Sequence, residues 1–248
     1  MLRWSINLFR IRGILLAVHG SFLLLLAYVA VDGWLDGGWE QVAWSVATLI
    51  AFFACVVLHE LGHSLTAMRF GVGVRRILLM PIGGMAEFDR IPRQPSRELL
   101  ITLAGPAVNF AIAALLWPLV GLGSGEYPAT LTGFGQLLLQ ANLVMGSFNL
   151  LPVFPMDGGR IFRALLATRW PYLRATYWAA TVGKVLALTG ALVAIWHYDS
   201  YLTAALFGFI LLAGEAEYQA VRRREAEDAA WRAMLTELAV SRPTTETT

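Results

Sequence analysis

Long apolar runs separated by short polar stretches dominate the chain. Segments at roughly 14 to 31, 42 to 67, 99 to 120, 131 to 151, 175 to 196 and 201 to 217 each approach the ~20 residues that a spanning helix needs, so the pattern predicts about six transmembrane helices. Between the second and third, "VGVRRILLMPIGGMAEF" has strand-like stretches on either side of Pro81 to Gly84. This predicts a small membrane-associated β-hairpin, the other reading being an ordinary loop. After the sixth segment, "VRRREAEDAAWRAMLTELAV" spaces Arg223 from Glu227 and Arg224 from Asp228 at i,i+4, and sets Trp231, Met234, Leu235 and Leu238 on one face. A short amphipathic cytosolic helix is expected there, and "RPTTETT" has the composition of a disordered tail. The expected fold is an all-α polytopic membrane protein, with residues 1–217 as one membrane domain and 218–248 as a cytosolic helix and tail.

Composition agrees with lipid as the solvent. Of 248 residues, 57% are hydrophobic and 15% charged, far more apolar than soluble domains. All but Lys184 of the 19 basic residues lie before the first segment, between the second and third, between the fourth and fifth, or after the sixth. The opposite loops hold Asp32, Asp36, Glu40, Glu126 and Asp199 and no Lys or Arg, so both termini are expected in the cytosol. A formal net charge of +2 gives no case for nucleic acid. The single cysteine, Cys55, cannot form an internal disulfide. The first segment reads as a retained helix in preference to a cleaved signal peptide, because its apolar core is long and no A-x-A site ends it.

Chemistry enters with "VVLHELGHSLTAM", residues 56 to 68. His59 and His63 are four apart and share one helical face, with Glu60 beside them: an HExxH pattern that supplies two zinc ligands and a general base. Only four histidines occur in the chain, and ionisable groups inside a spanning helix need a partner or a cavity, which a zinc ion supplies. A catalytic zinc needs a third protein ligand. In "NLLPVFPMDGGR", residues 149 to 160, Pro152 and Pro155 end a helix before Asp157, and the topology puts Asp157 at the cytosolic depth of both histidines. Asp157 as a simple cap of the next helix is the competing reading.

These motifs resemble the site-2 proteases, the intramembrane zinc metalloproteases, and in particular their six-helix sporulation-type branch. HELGH at 59 to 63, "MPIGGMAEF" at 80 to 88, "AGPAVN" at 104 to 109 and "NLLPVFPMDGGR" at 149 to 160 occur in the family's order. The resemblance implies one Zn2+ per chain on His59, His63 and Asp157, Glu60 as catalytic base, and Asn109 and Asn149 as groups that help hold substrate. It implies a multi-pass protein of a prokaryotic cell membrane that cuts a single-span membrane substrate near the cytosolic face, under a regulatory membrane partner. Departures are Gly20, where a tryptophan is common, and Phe154 within the proline run. Many relatives append cystathionine-beta-synthase domains; the residues after 217 are too few for one, so a chain without them is expected.

A helical substrate hides its carbonyls, so the enzyme must hold an unwound segment. The strand at Gly84, Met85 and Ala86 is the candidate edge for that pairing. For Asn109 and Asn149 the competing role is an interhelical hydrogen bond. A lone His19 is more often such a bond than a ligand, and Lys184 is expected to pair with Glu215 or Glu217. A zinc-binding scaffold or transporter is the alternative class. It is disfavoured because a scaffold has no need of Glu60 and a transporter should show paired repeats.

Overall fold

The structure, a computed structural model, describes residues 4–89, 92–121, 123 and 130–240. It divides into two compact units, Met1–Leu151 and Pro152–Thr248. The first contains strands β1 (Ser5–Ile11), β2 (Ile14–His19), β3 (Val74–Met80) and β4 (Gly83–Phe88). Its helices are α1 (Gly20–Arg69), α2 (Pro95–Val120) and α3 (Leu131–Asn149). The second contains α4 (Asp157–Ala167), α5 (Tyr172–Tyr198) and α6 (Tyr201–Val240).

The β-hairpin expected between helices is half of a larger object. β1 to β4 form one sheet in the order β1-β2-β3-β4, with β2 parallel to β3 and the outer pairs antiparallel. The protein is therefore mostly helical but not all-α. The error lies at the first apolar segment, whose start, "ILLAVH", is strand β2. A short continuous apolar run suits a strand buried on both faces as well as it suits a helix, and periodicity cannot separate the two. Ile14, Leu16 and Val18 of β2 and Ile77 and Leu79 of β3 pack on Phe53, Val56, Val57 and Leu61 of α1. The turn between β3 and β4 is tighter than expected: only Pro81 and Ile82 lie outside the strands, and Gly83 starts β4 at φ +133°, a conformation open to glycine.

Element α1 covers 50 residues, more than twice the ~20 that one spanning helix needs. Its backbone leaves the helix at Gly37 and Gly38, so the element is two helices joined at a break, carrying the rest of the first expected segment and all of the second. His19 caps it: the ring Nδ1 accepts from the Ser21 amide, a structural role. Among the described residues four helices are long and apolar enough to cross a membrane, namely α1, α2, α5 and α6 over Tyr201–Glu237. The chain is thus an integral membrane protein. Two of the six expected segments lie in α1, one on each side of its break, and α3 falls outside the four because it carries Gln136, Gln140 and Asn142. Gln136 bonds to the carbonyl of Val120, the last residue of α2, and Gln140 to that of Gly123 just past it.

In the second unit α6 continues without a break through Val240, so the expected separate cytosolic helix is an extension of the last span. No glycine or proline interrupts residues 215 to 240, and nothing stops propagation. The tail "RPTTETT" lies outside the described residues. Lys184 of α5 pairs with Glu215 of α6 at 2.8 Å, one of its two expected partners, while Glu217 pairs with Arg163 of α4 at 2.6 Å.

Helices α1 and α2 touch at Gly62, where an added Cβ would stand 2.6 Å from the Ala104 carbonyl oxygen and 2.9 Å from a Val108 methyl. Gly62→Ala is therefore expected to cost about 1–3 kcal/mol, read as a lower melting temperature in detergent. Gly208→Ala on α6, where an added Cβ meets nothing within 4 Å, should leave melting unchanged or slightly raised.

Candidate metal centre

His59 and His63 lie on the second half of α1, one turn apart, 5% and 7% exposed. Each ring is held from behind. His59 Nδ1 lies 2.5 Å from Asn109 Oδ1, and His63 Nδ1 lies 2.8 Å from the Ile101 carbonyl oxygen, both on α2. A carbonyl oxygen only accepts, so each Nδ1 donates and each Nε2 is the unprotonated nitrogen. The two Nε2 atoms face one another at 3.1 Å.

That arrangement tests whether a metal fits. Two imidazole lone pairs at such a distance repel unless a cation sits before them. Nitrogens bound at about 2.0–2.1 Å to one tetrahedral zinc stand about 3.3 Å apart, close to the spacing seen. The backing is close-fitting: a Cβ at Gly105 would fall 2.1 Å from His63 Nε2 and 2.8 Å from His59 Nε2, so only glycine leaves this side open. The residues present fit zinc.

Glu60 follows His59 on α1 and is half-buried. β4 passes over it, since a Cβ at Gly84 would lie 2.8 Å from Glu60 Cγ and 3.0 Å from a Val56 methyl. Among the described residues β4 is an outer strand of the sheet, so Gly84, Met85 and Ala86 lie along its edge. Asn109 is fully buried, and its amide is engaged at both ends, toward His59 and toward Asn142 Oδ1 at 2.9 Å. Asn149, half-buried at the end of α3, donates to the Met145 carbonyl of its own helix.

Asp157 belongs to the second unit. It is the first residue of α4, following Met156 at the N-cap, and is the acidic residue of that first turn. The start of α4 is anchored within that unit. Gly159 leaves room for the backbone of Val153 and Phe154, where a Cβ would meet both at 2.8 Å. Arg163 is buried over the rings of Phe154 and Tyr172 and bonded to Glu217 of α6.

Comparisons with known proteins identify the family. Residues 47–131 and 126–190 match the profile of peptidase family M50. The chain belongs to peptidase family M50. It is 42% identical over 189 residues to a zinc metalloprotease of Methanocaldococcus jannaschii, covering 75% of this chain and 53% of that protein. It is 27% identical over 154 residues to stage IV sporulation protein FB of Bacillus subtilis, covering 62% and 52%. Among solved structures, the site-2 protease from Methanocaldococcus jannaschii superposes with a TM-score of 0.61 at 37% identity, over 87% of this chain and 95% of that one. The chain spans about half the length of these two curated relatives. Among the described residues, His59, His63 and Asp157 can each offer one ligand atom to a metal ion.

Two supports of the site were missed in the sequence. Gly105 sits inside "AGPAVN" and could have been singled out as the small residue opposite HELGH. Asn142, seven residues before Asn149 in an apolar segment, was the other readable signal. Gly105→Ala is expected to weaken zinc binding at least about tenfold, because it displaces ring nitrogens that must be placed to a few tenths of an ångström; chelator competition on the purified protein measures it.

Proposed function

We propose that the chain is an intramembrane zinc endopeptidase that cuts a membrane-anchored protein near the cytosolic face and releases its cytosolic part. One observation carries this: two buried imidazoles aim their Nε2 atoms at a common point on a helix apolar enough to span, with Glu60 beside them under an open strand edge. Asp157 is the third ligand in this reading, an oxygen donor that completes the two-histidine, one-carboxylate set of hydrolytic zinc sites. When bound, zinc supplies Lewis-acid chemistry that makes water nucleophilic near neutral pH and polarises the peptide carbonyl. Glu60 takes the proton of the attacking water and returns it to the leaving amine. Asn149, at the mouth of the "NLLP" turn, is the candidate donor to substrate.

Substrate is held unwound along β4. The two-residue turn makes Met80 and Gly83 the first hydrogen-bonded pair, and pairs alternate outward from it. Leu78 and Met85 are then bonded to each other, while Gly84 and Ala86 turn their N–H and C=O groups to the open side. The side-chain positions of those same two residues face α1 and Glu60, so a substrate strand paired there lies beside the base.

The substrate is a single-span membrane protein, and a membrane partner gates its access. Both termini are cytosolic, on the distribution of arginines. The likeness to stage IV sporulation protein FB supports placing the chain in the sporulation-type branch, in a prokaryotic cell membrane.

Co-expression with tagged single-span substrates tests the reaction. Glu60→Gln should keep one zinc per chain and lose cleavage by at least about a hundredfold. Asp157→Ala should lose zinc and cleavage together. Cleavage by Glu60→Gln at the wild-type rate would refute the mechanism, and full zinc with retained activity in Asp157→Ala would remove that ligand.

Proline substitution separates substrate holding from metal chemistry. Ala86→Pro deletes an outward donor and should impair cleavage while melting and zinc content stay near wild type. Met85→Pro deletes a bond of the hairpin itself and should lower the melting temperature as well. Wild-type cleavage by both variants would exclude pairing on this edge.

A further inference from the structure

Asn142 is fully buried on α3, two residues after Gln140, and neither zinc nor substrate chemistry has yet required it. Its partners form a directed chain. Asn142 Nδ2 donates to the Leu138 carbonyl at 2.8 Å, Asn109 Nδ2 donates to Asn142 Oδ1 at 2.9 Å, and Asn109 Oδ1 faces His59 Nδ1 at 2.5 Å. The direction is set at the far end. A backbone carbonyl has no proton to give, so the Asn142 amide must point its nitrogen there and its oxygen toward Asn109. Asn109 must then present its own nitrogen to Asn142 and its oxygen to His59. The imidazole is left one option, which is to carry its proton on Nδ1 and keep the Nε2 lone pair for the metal side.

We propose that Asn142 is a positioning residue that sets the tautomer and ring orientation of His59 through Asn109, and so sets the affinity of the site for zinc. Without Asn142 the Asn109 amide has no acceptor for its nitrogen in this apolar surrounding. Turning it by half a rotation toward His59 then becomes competitive, which offers the ring a donor where it needs an acceptor. His63 has no such dependence, because its Nδ1 partner is a main-chain carbonyl that cannot turn. The site thus has one ligand oriented by backbone and one oriented by a two-residue side-chain relay between α2 and α3. This inference rests on His59 being a zinc ligand.

A double-mutant cycle read by zinc affinity tests it. The dissociation constant is measured by chelator competition on purified full-length protein in detergent for wild type, Asn142→Leu, Asn109→Leu and the double variant. Asn142→Leu is expected to weaken zinc about tenfold and Asn109→Leu about ten- to a hundredfold, the range for partners behind a metal-bound histidine. The double variant should be no weaker than Asn109→Leu alone, since Asn142 acts only through Asn109. Asn142→Asp, whose protonated acid donates to Leu138 and accepts from Asn109 as the amide does, should stay within about threefold of wild type. Zinc affinity within threefold of wild type in Asn142→Leu, an undiminished effect of that change in the Asn109→Leu background, or an Asn142→Asp variant as weak as Asn142→Leu would each overturn the proposal. Should Asn142→Leu not accumulate in membranes, Asn142→Ala takes its place in the same cycle. His59→Ala separates the two levels: zinc retained at wild-type affinity there would remove His59 as a ligand, whereas zinc lost there and kept in Asn142→Leu would overturn the relay alone.

Discussion

The approach of two imidazole nitrogens to 3.1 Å inside a membrane helix is the constraint around which the first unit is organised. Two lone pairs in an apolar surrounding repel, and each ring must be held from behind to stay there. Both restraints come from α2, one from a main-chain carbonyl and one from a side-chain amide. For α2 to reach, it must lie close against α1, and Gly62 and Gly105 make that approach possible at two successive levels. The polar requirement of the site and the steric requirement of the helix pair are therefore met by the same contact.

The sheet solves a different problem. Irregular or unpaired backbone is tolerated at membrane depth only where protein or a water-filled cavity covers it. β2 and β3 are paired on both sides and pack their apolar face on α1, so the inner strands carry no exposed backbone. Among the described residues β1 and β4 are the outer strands. The edge at β4 is the one that runs past Glu60, and the ladder turns the N–H and C=O groups of Gly84 and Ala86 away from β3. Gly84 serves twice, as an edge position and as the residue small enough to let the strand approach the glutamate.

In the second unit charge takes the structural role that glycine takes in the first. Arg163 is buried, stacks on Phe154 and Tyr172 and binds Glu217, tying α4 to α6 and bracing the turn that ends at Asp157. A buried ion pair is weak evidence of stability, because desolvation offsets much of the attraction. Its value here is geometric: the guanidinium is planar and bonds directionally, so it specifies how the first turn of α4 sits within its unit.

Much of the chemistry was legible from residues alone. HELGH needs only a helix to place both histidines on one face, and a helix follows from local composition, so His59, Glu60 and His63 could be read without knowing what packs on them. The β3–β4 hairpin was readable too, because prolines, glycines and β-branched residues act locally. What could not be read depended on partners distant in sequence. "ILLAVH" is a strand because β3, some sixty positions on, offers it a parallel neighbour. Asn109 could be recognised as polar and buried, but whether it faced substrate, a helix or a ligand was decided by where α1 and α3 lie. Asn142 gained its place only through Asn109. Sequence by itself determined the ligand types, their spacing on one helix and the preference for lipid, since each depends on neighbours within a turn or two. Tertiary structure alone decided which nitrogen of His59 holds the proton and which edge lies over Glu60, because hydrogen-bond direction and strand order are set by contacts between elements far apart in the chain.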